Sequence, residues 1–492
     1  MRTQPEASEL TDPGQSGLRA GVGRADITDY GAGPVNDPLY VKALVLRDAG
    51  TTVVLVTVDA VALAEIGPIP NDYLPNVRRQ LQAELGIDPA NVLVNASHCH
   101  GVVCPEVVQR TVDAVRAACE AMVPVRVGTG RGHEDRIQEN RRLRLRDGSE
   151  ADVRHAYSLP PDAAVDGVGP IDPQIGILRL DRPDGRTLAA VYNFACHPIQ
   201  GVPGGGNTAD LAGFASRAVE EGLGDGAAAL FLQGCAGDIN PVLYKDVEHP
   251  RDAEPLGNLL GLSVLRALRK IECREGARIR LIRETLALPR ADLSECIRAL
   301  EAEQAEVLRS LQGTSLNLKT FLSLVAKHGL SPEFPSYYSH RYLHDRALGR
   351  DVYDRLDALN RGQIELYVRN IHAMERLTRI RANLDLLVMH QAQNAAAGMA
   401  PLNVEVAGLR VGDFVLVTFP GELSVAIGLD VKRRSPHPFT FVAGYTNGYI
   451  YYAPTEEQLR NRGHAQEDSD CLLADGWRAL FDEKVDSILS RL

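Results

Sequence analysis

Two histidines one residue apart, in Ser97-His98-Cys99-His100, form the first grouping in this chain whose types and spacing could do chemistry. In an extended segment, residues two apart point to the same side. Two imidazoles so placed can share a metal, or one can bind it while the other moves protons. By itself the pair reads equally as two turn or surface histidines. A third histidine closes Asn193-Phe194-Ala195-Cys196-His197-Pro198, where an apolar run ends and a proline fixes the departing chain. Strand ends of this kind carry functional groups in α/β enzymes, but they also carry ordinary core histidines. A carboxylate follows an apolar run and a Pro-Gly turn in Phe419-Pro420-Gly421-Glu422. Glu422 reads as an acidic residue favoured at a helix N-terminus or as a metal carboxylate. Two histidines and a carboxylate, with a position left open for water, make up a catalytic zinc composition.

Three further segments carry polar groups in apolar or glycine-rich settings. Tyrosine is densest in Gly444-Tyr445-Thr446-Asn447-Gly448-Tyr449-Ile450-Tyr451-Tyr452. A phenol there can ligate a metal, donate to an oxyanion, or simply line a core. Asp210 lies in Asn207-Thr208-Ala209-Asp210-Leu211-Ala212-Gly213, and Asp238 in Gly237-Asp238-Ile239-Asn240-Pro241. Either aspartate is expected to accept a hydrogen bond from the N–H of a ligating imidazole, with helix capping the plainer role for Asp210.

The elements that must position these groups alternate strand and helix. Tyr40–Leu46, Val53–Val58 and Asn91–Asn95 read as strands, as do Ile175–Leu180 and Thr187–Phe194 around the turn Asp184-Gly185. Helical periods run from Leu74 to Leu85, ending at Gly86, from Glu106 to Met122, and from Phe214 to Leu223. Ala228–Leu232 is a buried strand, and Val404–Leu409, Phe414–Thr418 and Thr440–Gly444 complete the set. This is the pattern of an α/β protein, a layered α+β core with mixed sheets. Residues 290–395 differ. Asp292 and Glu295 have capping-box spacing, and two long helical periods flank a Tyr/His/Pro-rich linker. The expected organisation is a tail over 1–18, a core over 19–289 and 396–492, and a mostly helical insertion over 290–395. The linker, through residues 336–341, is expected to approach the metal pocket.

Composition narrows the function classes. Fifty-three basic and 64 acidic residues give a net charge of −11, so nucleic acid is not an expected partner. No apolar run approaches the ~20 residues of a membrane span. The first residues lack a secretory apolar core, and the eight cysteines are scattered without a CxxC pair, so a reducing, cytoplasmic setting is expected. The expected partner is a small-molecule substrate, with room for a homo-oligomer.

In their order along the chain, these segments resemble the catalytic domain of the neutral, non-lysosomal ceramidase family. The resemblance begins at Gly21-Val22-Gly23-Arg24-Ala25-Asp26-Ile27-Thr28 and takes in Ser97-His98-Cys99-His100, Asn140-Arg141 and Phe194-Ala195-Cys196-His197-Pro198. It continues through Asp210-Leu211-Ala212-Gly213, Gly237-Asp238-Ile239-Asn240-Pro241, Pro420-Gly421-Glu422 and Thr446-Asn447-Gly448-Tyr449. It implies one zinc ion held by His98, His197, Glu422 and Tyr449, although iron or manganese also suits these donors. It implies that His100 and Arg141 face the substrate. The expected reaction is cleavage of an N-acyl bond by metal-activated water, with Arg141 stabilising the oxyanion and His100 passing a proton to the leaving amine.

This sequence departs from the family pattern in three ways. Asn240 stands where the family has a serine thought to be catalytic, and is expected to position substrate or oxyanion. Val102-Val103-Cys104-Pro105 replaces a Gly-Pro-Gly and is expected to reshape the pocket floor. The chain ends soon after Tyr449, without length for the family's C-terminal β-sandwich. A substrate other than ceramide is therefore expected. The alternatives are a metal-dependent isomerase, lyase or acyl transferase on the same cage, and a catalytically inactive binding protein.

Overall fold

The computed structural model describes residues 17–153, 159–332 and 340–492. Most of the expected tail, residues 1–16, and residues 336–339 of the linker lie outside them. The chain divides into two compact units. One comprises the residues up to Asp292 together with His390–Leu492, and the other is Leu293–Met389.

Three mixed sheets form the larger unit, and each is built to the same plan. The first runs Val92–Ala96, Thr52–Val58, Tyr40–Arg47, Arg19–Asp26, Val123–Pro124. The second runs Ala228–Gln233, Thr187–Phe194, Gln174–Asp181, Arg126–His133. The third runs Ile279–Leu288, Leu402–Val411, Phe414–Thr418, Thr440–Ala443. In each, one edge strand is parallel to its neighbour and the remaining pairs are antiparallel. A parallel pair needs a crossover, and a helix supplies it each time: Tyr73–Leu85, Asp210–Leu223 and Val425–Arg434. The strands of these pairs are almost continuously apolar because both faces are covered. Leu44, Leu55, Leu178, Val191, Leu230, Leu409, Leu416 and Phe441, drawn from all three sheets, share one core.

The strand Arg19–Asp26 was not evident from alternation, because glycine replaces side chains on its inner face. Helix Val107–Glu120 packs directly on it. A Cβ at Gly21 would lie 1.9 Å from the Ala118 carbonyl oxygen, and one at Gly23 would lie 2.1 Å from that of Ala114. The Gly21-Val22-Gly23 motif is thus a close approach of helix backbone to strand backbone. Gly86 ends its helix with φ 65°, as its position predicts.

The smaller unit contains helices Ser294–Ser310, Leu318–Leu330 and Arg341–Ala347, and the long helix Val352–Ala396 up to Met389. The helix expected to be capped at Asp292 has Leu293 at its N-cap position instead. The first helix begins at Ser294 after Leu293, without a side-chain cap. A capping box occurs instead at Asn317 and Thr320, one helix later. Phe321 stacks on Tyr367 with ring centroids 4.4 Å apart. Among the described residues, no helix is long and apolar enough to cross a membrane.

One buried side chain ties the three sheets where their parallel pairs end. Asn95 Oδ1 accepts from Gln233 N at 2.9 Å, and its Nδ2 donates to Gly444 O at 2.7 Å and to Thr446 Oγ1 at 2.9 Å. Asn95→Ala leaves these partners unpaired in a dry interior, at about 1–3 kcal/mol for each unsatisfied group. A loss of about 3 kcal/mol or more in unfolding free energy is expected from denaturant titration. A change under about 1 kcal/mol would show that the sheets hold together without this tie.

Candidate metal centre

His98, His197 and Glu422 each stand a few residues past the carboxyl end of a strand. They follow Val92–Ala96, Thr187–Phe194 and Phe414–Thr418 respectively, all members of the parallel pairs. Open α/β sheets bind their ligands beyond such ends. The Asn95 tie brings the ends together, and Ala96 N donates to Tyr445 O at 3.0 Å beside it. The nitrogen or oxygen atoms offered by His98, His197 and Glu422 all lie within 4.8 Å of one another.

Both rings are oriented by the same device. His98 Nδ1 lies 2.6 Å from the Val61 carbonyl, and His197 Nδ1 lies 2.9 Å from the Ile239 carbonyl. A carbonyl can only accept, so each Nδ1 carries the hydrogen, and each neutral ring presents a bare lone pair at Nε2. His197 Nε2 is 3.1 Å from Glu422 Oε2, and His98 Nε2 is 3.6 Å from Glu422 Oε1. All three side chains are buried, at 2–3% exposure. Burial pushes His98 down to about 4, outweighing the pull of the Glu422 carboxylate. Burial alone would raise Glu422, but positive charge shared with the two rings, together with hydrogen bonds from His197 and Tyr449, outweighs it and holds the carboxyl well below its usual range. A carboxylate and two imidazoles thus meet in a dry site, where a cation, a proton or a metal ion, balances the negative charge. Two nitrogens and a carboxylate are a donor set that one divalent zinc, iron or manganese ion fits.

Two tyrosines complete the surroundings of Glu422. Tyr449 donates to Oε1 at 2.5 Å, and Tyr445, which the sequence reading did not single out, donates to Oε2 at 3.0 Å. Burial, and then the carboxylate itself, hold both phenols well above their usual range. Each therefore stands as a neutral donor to Glu422, and Tyr449 becomes a ligand only by giving up that hydrogen bond.

His100 reaches the same cavity of about 510 Å³ as His98, His197, Glu422, Tyr449 and Arg141. Its ring is exposed and lies 5.5 Å from that of His98. The reason is not the one expected from an extended segment. The strand ends at Ala96, and His98 has φ 69°, so this left-handed turn, not strand alternation, brings both rings to the cavity. A second hollow of about 560 Å³, around Arg24, Lys42 and Glu220, gathers no metal-ligating group among the described residues.

Arg141 is 1% exposed and held from several directions. Its guanidinium donates to Gly237 O at 2.5 Å, Asn240 Oδ1 at 3.1 Å and Tyr452 Oη at 3.1 Å, and it pairs with Glu467. Asn240, fully buried, stands behind Arg141, and the cavity wall is formed by the arginine rather than the amide. The two aspartates do not meet the imidazoles, whose N–H partners are backbone carbonyls. Asp238 accepts from Val425 N at 2.7 Å and Asn140 Nδ2 at 3.3 Å, and its carbonyl accepts from Arg141 N at 2.9 Å. It therefore brackets the Asn140-Arg141 segment to the helix after Glu422. Asp210 lies in the cavity wall and accepts from Gly201 N and Leu211 N, both at 2.6 Å. Sequence reading also missed Tyr244, Arg251, Tyr452 and Asp470, which line the cavity. Only Tyr452 carried a signal, as part of the tyrosine cluster.

Among the solved structures the chain resembles are two ceramidases. To the neutral ceramidase of Pseudomonas aeruginosa it has 16% identity and a TM-score of 0.61, over 97% of this chain and 74% of that one. To a ceramidase complexed with C2 it has 17% identity and a TM-score of 0.61, over 97% and 75% of the two chains. The chain thus has the neutral ceramidase fold, as the ordered motifs imply. Its sequence matches no protein-family model and no curated protein.

Purified protein is expected to carry close to one divalent metal ion per chain by elemental analysis, and His197→Ala to lose most of it. Full occupancy in His98→Ala, His197→Ala and Glu422→Ala alike would remove this site from consideration. Tyr449→Phe and Tyr445→Phe separate ligand from support. Loss of a hydrogen-bonding neighbour costs about 10- to 100-fold in metal affinity, and a ligand costs more. Tyr449→Phe is therefore expected to be the weaker binder, and the reverse order would make Tyr449 a support only. Acid also acts on the site. Because His98 is depressed to about 4 when folded, from about 6.5 when unfolded, the folded chain binds fewer protons between those values. Its contribution to metal-free stability is complete above about pH 6.5 and is lost as pH falls towards 4, which melting curves of His98→Gln against the parent should isolate.

Proposed function

We propose that this chain is a zinc-dependent hydrolase that cleaves an N-acyl (amide) bond in a substrate other than ceramide. The observation that carries this reading is the convergence of two carbonyl-anchored imidazoles and an ionised carboxylate on one buried point, beside a cavity that also holds His100 and Arg141. The shared fold supports it, since ceramidases are by name amide hydrolases. His98, His197 and Glu422 hold the ion, with Tyr449 as fourth donor. Such an ion supplies Lewis acidity, which polarises a carbonyl and makes water a nucleophile near neutral pH.

The remaining steps belong to the side chains of the cavity. The carbonyls of Val61 and Ile239 keep Nε2 of each ligating ring turned inward, so no reorientation is needed when substrate arrives. Arg141 is fixed by Glu467, Gly237, Asn240 and Tyr452 before any substrate binds. A guanidinium so held stabilises negative charge as the acyl carbonyl oxygen acquires it, without a reorganisation cost. His100 stands on the exposed side, where it donates a proton to the departing nitrogen. Asn240 acts through Arg141, as a positioning residue in place of a nucleophile. The scattered cysteines support a cytoplasmic setting.

A screen of N-acyl compounds for metal-dependent release of amine tests the reaction class. On a substrate so found, His100→Ala should keep its metal content and melting temperature while losing about 10²- to 10⁴-fold in turnover. Retained turnover with a lowered melting temperature would make His100 structural, and an emptied site would make it a ligand. Asn240→Ala should retain measurable turnover, with a loss of up to about 10²-fold, the scale of a slightly misplaced catalytic group. Trapping a covalent acyl adduct on a cavity side chain would overturn direct attack by water.

A further inference from the structure

Each charged group that lines the cavity, except one, already has a partner. Arg141 is paired with Glu467. Both oxygens of Asp210 accept from backbone amides. Asp470 Oδ1 lies 2.6 Å from His390 Nε2, and Glu422 belongs to the metal cluster. Arg251 is the exception: it meets no carboxylate within ion-pair distance among the described residues. Its guanidinium lies over the Tyr244 ring, 4.5 Å from the centroid. A cation–π contact of this kind takes up no N–H donor in a hydrogen bond to a carboxylate, and leaves the guanidinium's donors for a bidentate acceptor.

The position of Arg251 is set by the segment that carries His197. Gly201, four residues past that histidine, accepts from Ala253 N at 2.8 Å. A Cβ at Gly201 would lie 3.7 Å from Arg251 Cδ, so the arginine stem passes close beside this cavity residue. Gly201 has φ 77°, which also favours glycine. The other lining residues argue against a long acyl chain. Only Val61, Ile66, Pro198 and Ile199 are aliphatic, and about 510 Å³ falls in the range of small-molecule sites.

From this placement we infer that Arg251, backed by Tyr244, recognises an anionic oxygen group on the substrate, so that the compounds cleaved are small N-acyl derivatives bearing a carboxylate or a phosphate. The inference rests on the hydrolase reading for the bond that is cleaved, but not for the anion that is bound.

The test compares matched pairs on the metal-loaded, full-length protein: N-acetylglycine against N-acetylglycinamide, and N-acetylethanolamine phosphate against N-acetylethanolamine. The charged member should be favoured in kcat/KM by about 10- to 100-fold in at least one pair, the scale of a charge-assisted hydrogen bond. The favoured pair distinguishes carboxylate from phosphate. Arg251→Ala should collapse that ratio towards one, chiefly through KM, and Arg251→Lys should restore part of it. Metal content and melting temperature report that each variant is intact. A ratio near one in the parent, or one that survives Arg251→Ala, overturns the proposal. If no member of either pair is cleaved, the hydrolase reading loses its support, and anion recognition is decided by calorimetric titration with acetate and inorganic phosphate. Binding that weakens at least tenfold in Arg251→Ala upholds the subsite. Binding that is absent, or that persists in the variant because the metal alone holds the anion, ends it.

Discussion

The structure depends on one buried carboxamide. Asn95 ends the first sheet's parallel pair, accepts from the last residue of the second sheet's edge strand, and donates into the loop that leaves the third sheet. Hydrophobic burial brings three sheets into a common core, but it is non-directional and sets neither their register nor their angle. Directional bonds in a dry interior do so, because the alternative is several polar groups left without partners. Asn193 repeats the device one strand away, donating to Leu232 O at 3.1 Å and Val442 O at 3.0 Å. Since each ligand-bearing loop begins where one of these strands stops, the tie that fixes the sheets also fixes the distances between His98, His197 and Glu422.

That convergence would be unfavourable on its own. A buried carboxylate stands 3.1 and 3.6 Å from two imidazole nitrogens, where an unbalanced charge is costly. The protein makes the site tolerable by donating to the carboxylate from Tyr445 and Tyr449 and by anchoring each ring through its other nitrogen. These bonds orient the three side chains without neutralising the carboxylate, so the group could still hold a cation. The neighbouring charges are handled differently. Arg142, beside Arg141 in sequence, makes a bidentate pair with Asp468 at 2.8 and 2.7 Å, fully buried, and Asn140 Oδ1 accepts from its backbone N–H at 2.8 Å. A closed pair of that kind is structural, whereas the open cluster at Glu422 has capacity left for a ligand.

Much of this was legible in the sequence where burial writes a pattern. The strands of the parallel pairs are continuous Val/Leu runs, and the ligand positions follow from where those runs stop. Legibility failed where the cause lay elsewhere in the chain. Arg19–Asp26 hides because helix Val107–Glu120 requires glycine on it. The expected role of Asp210 and Asp238 failed because backbone carbonyls, invisible to residue type, took the imidazole N–H groups. Tyr445 was visible only as one tyrosine among several, since its left-handed φ of 52°, which turns it to Glu422, is a property of the loop and not of the residue.

The two kinds of residue in the cavity sit on two kinds of backbone. His98, His197 and Glu422 stand at strand ends that three sheets hold in place, which would suit a group that must meet an ion within a few tenths of an ångström. His100, Tyr244 and Arg251 stand on irregular segments, where substitutions change what is recognised without disturbing the sheets. A fold shared at 16% identity with a ceramidase fixes the sheets and their strand ends, while residues on irregular segments are free to vary. In this chain Arg251 lies over the Tyr244 ring on the cavity wall, and Val61, Ile66, Pro198 and Ile199 are the aliphatic residues among the described lining.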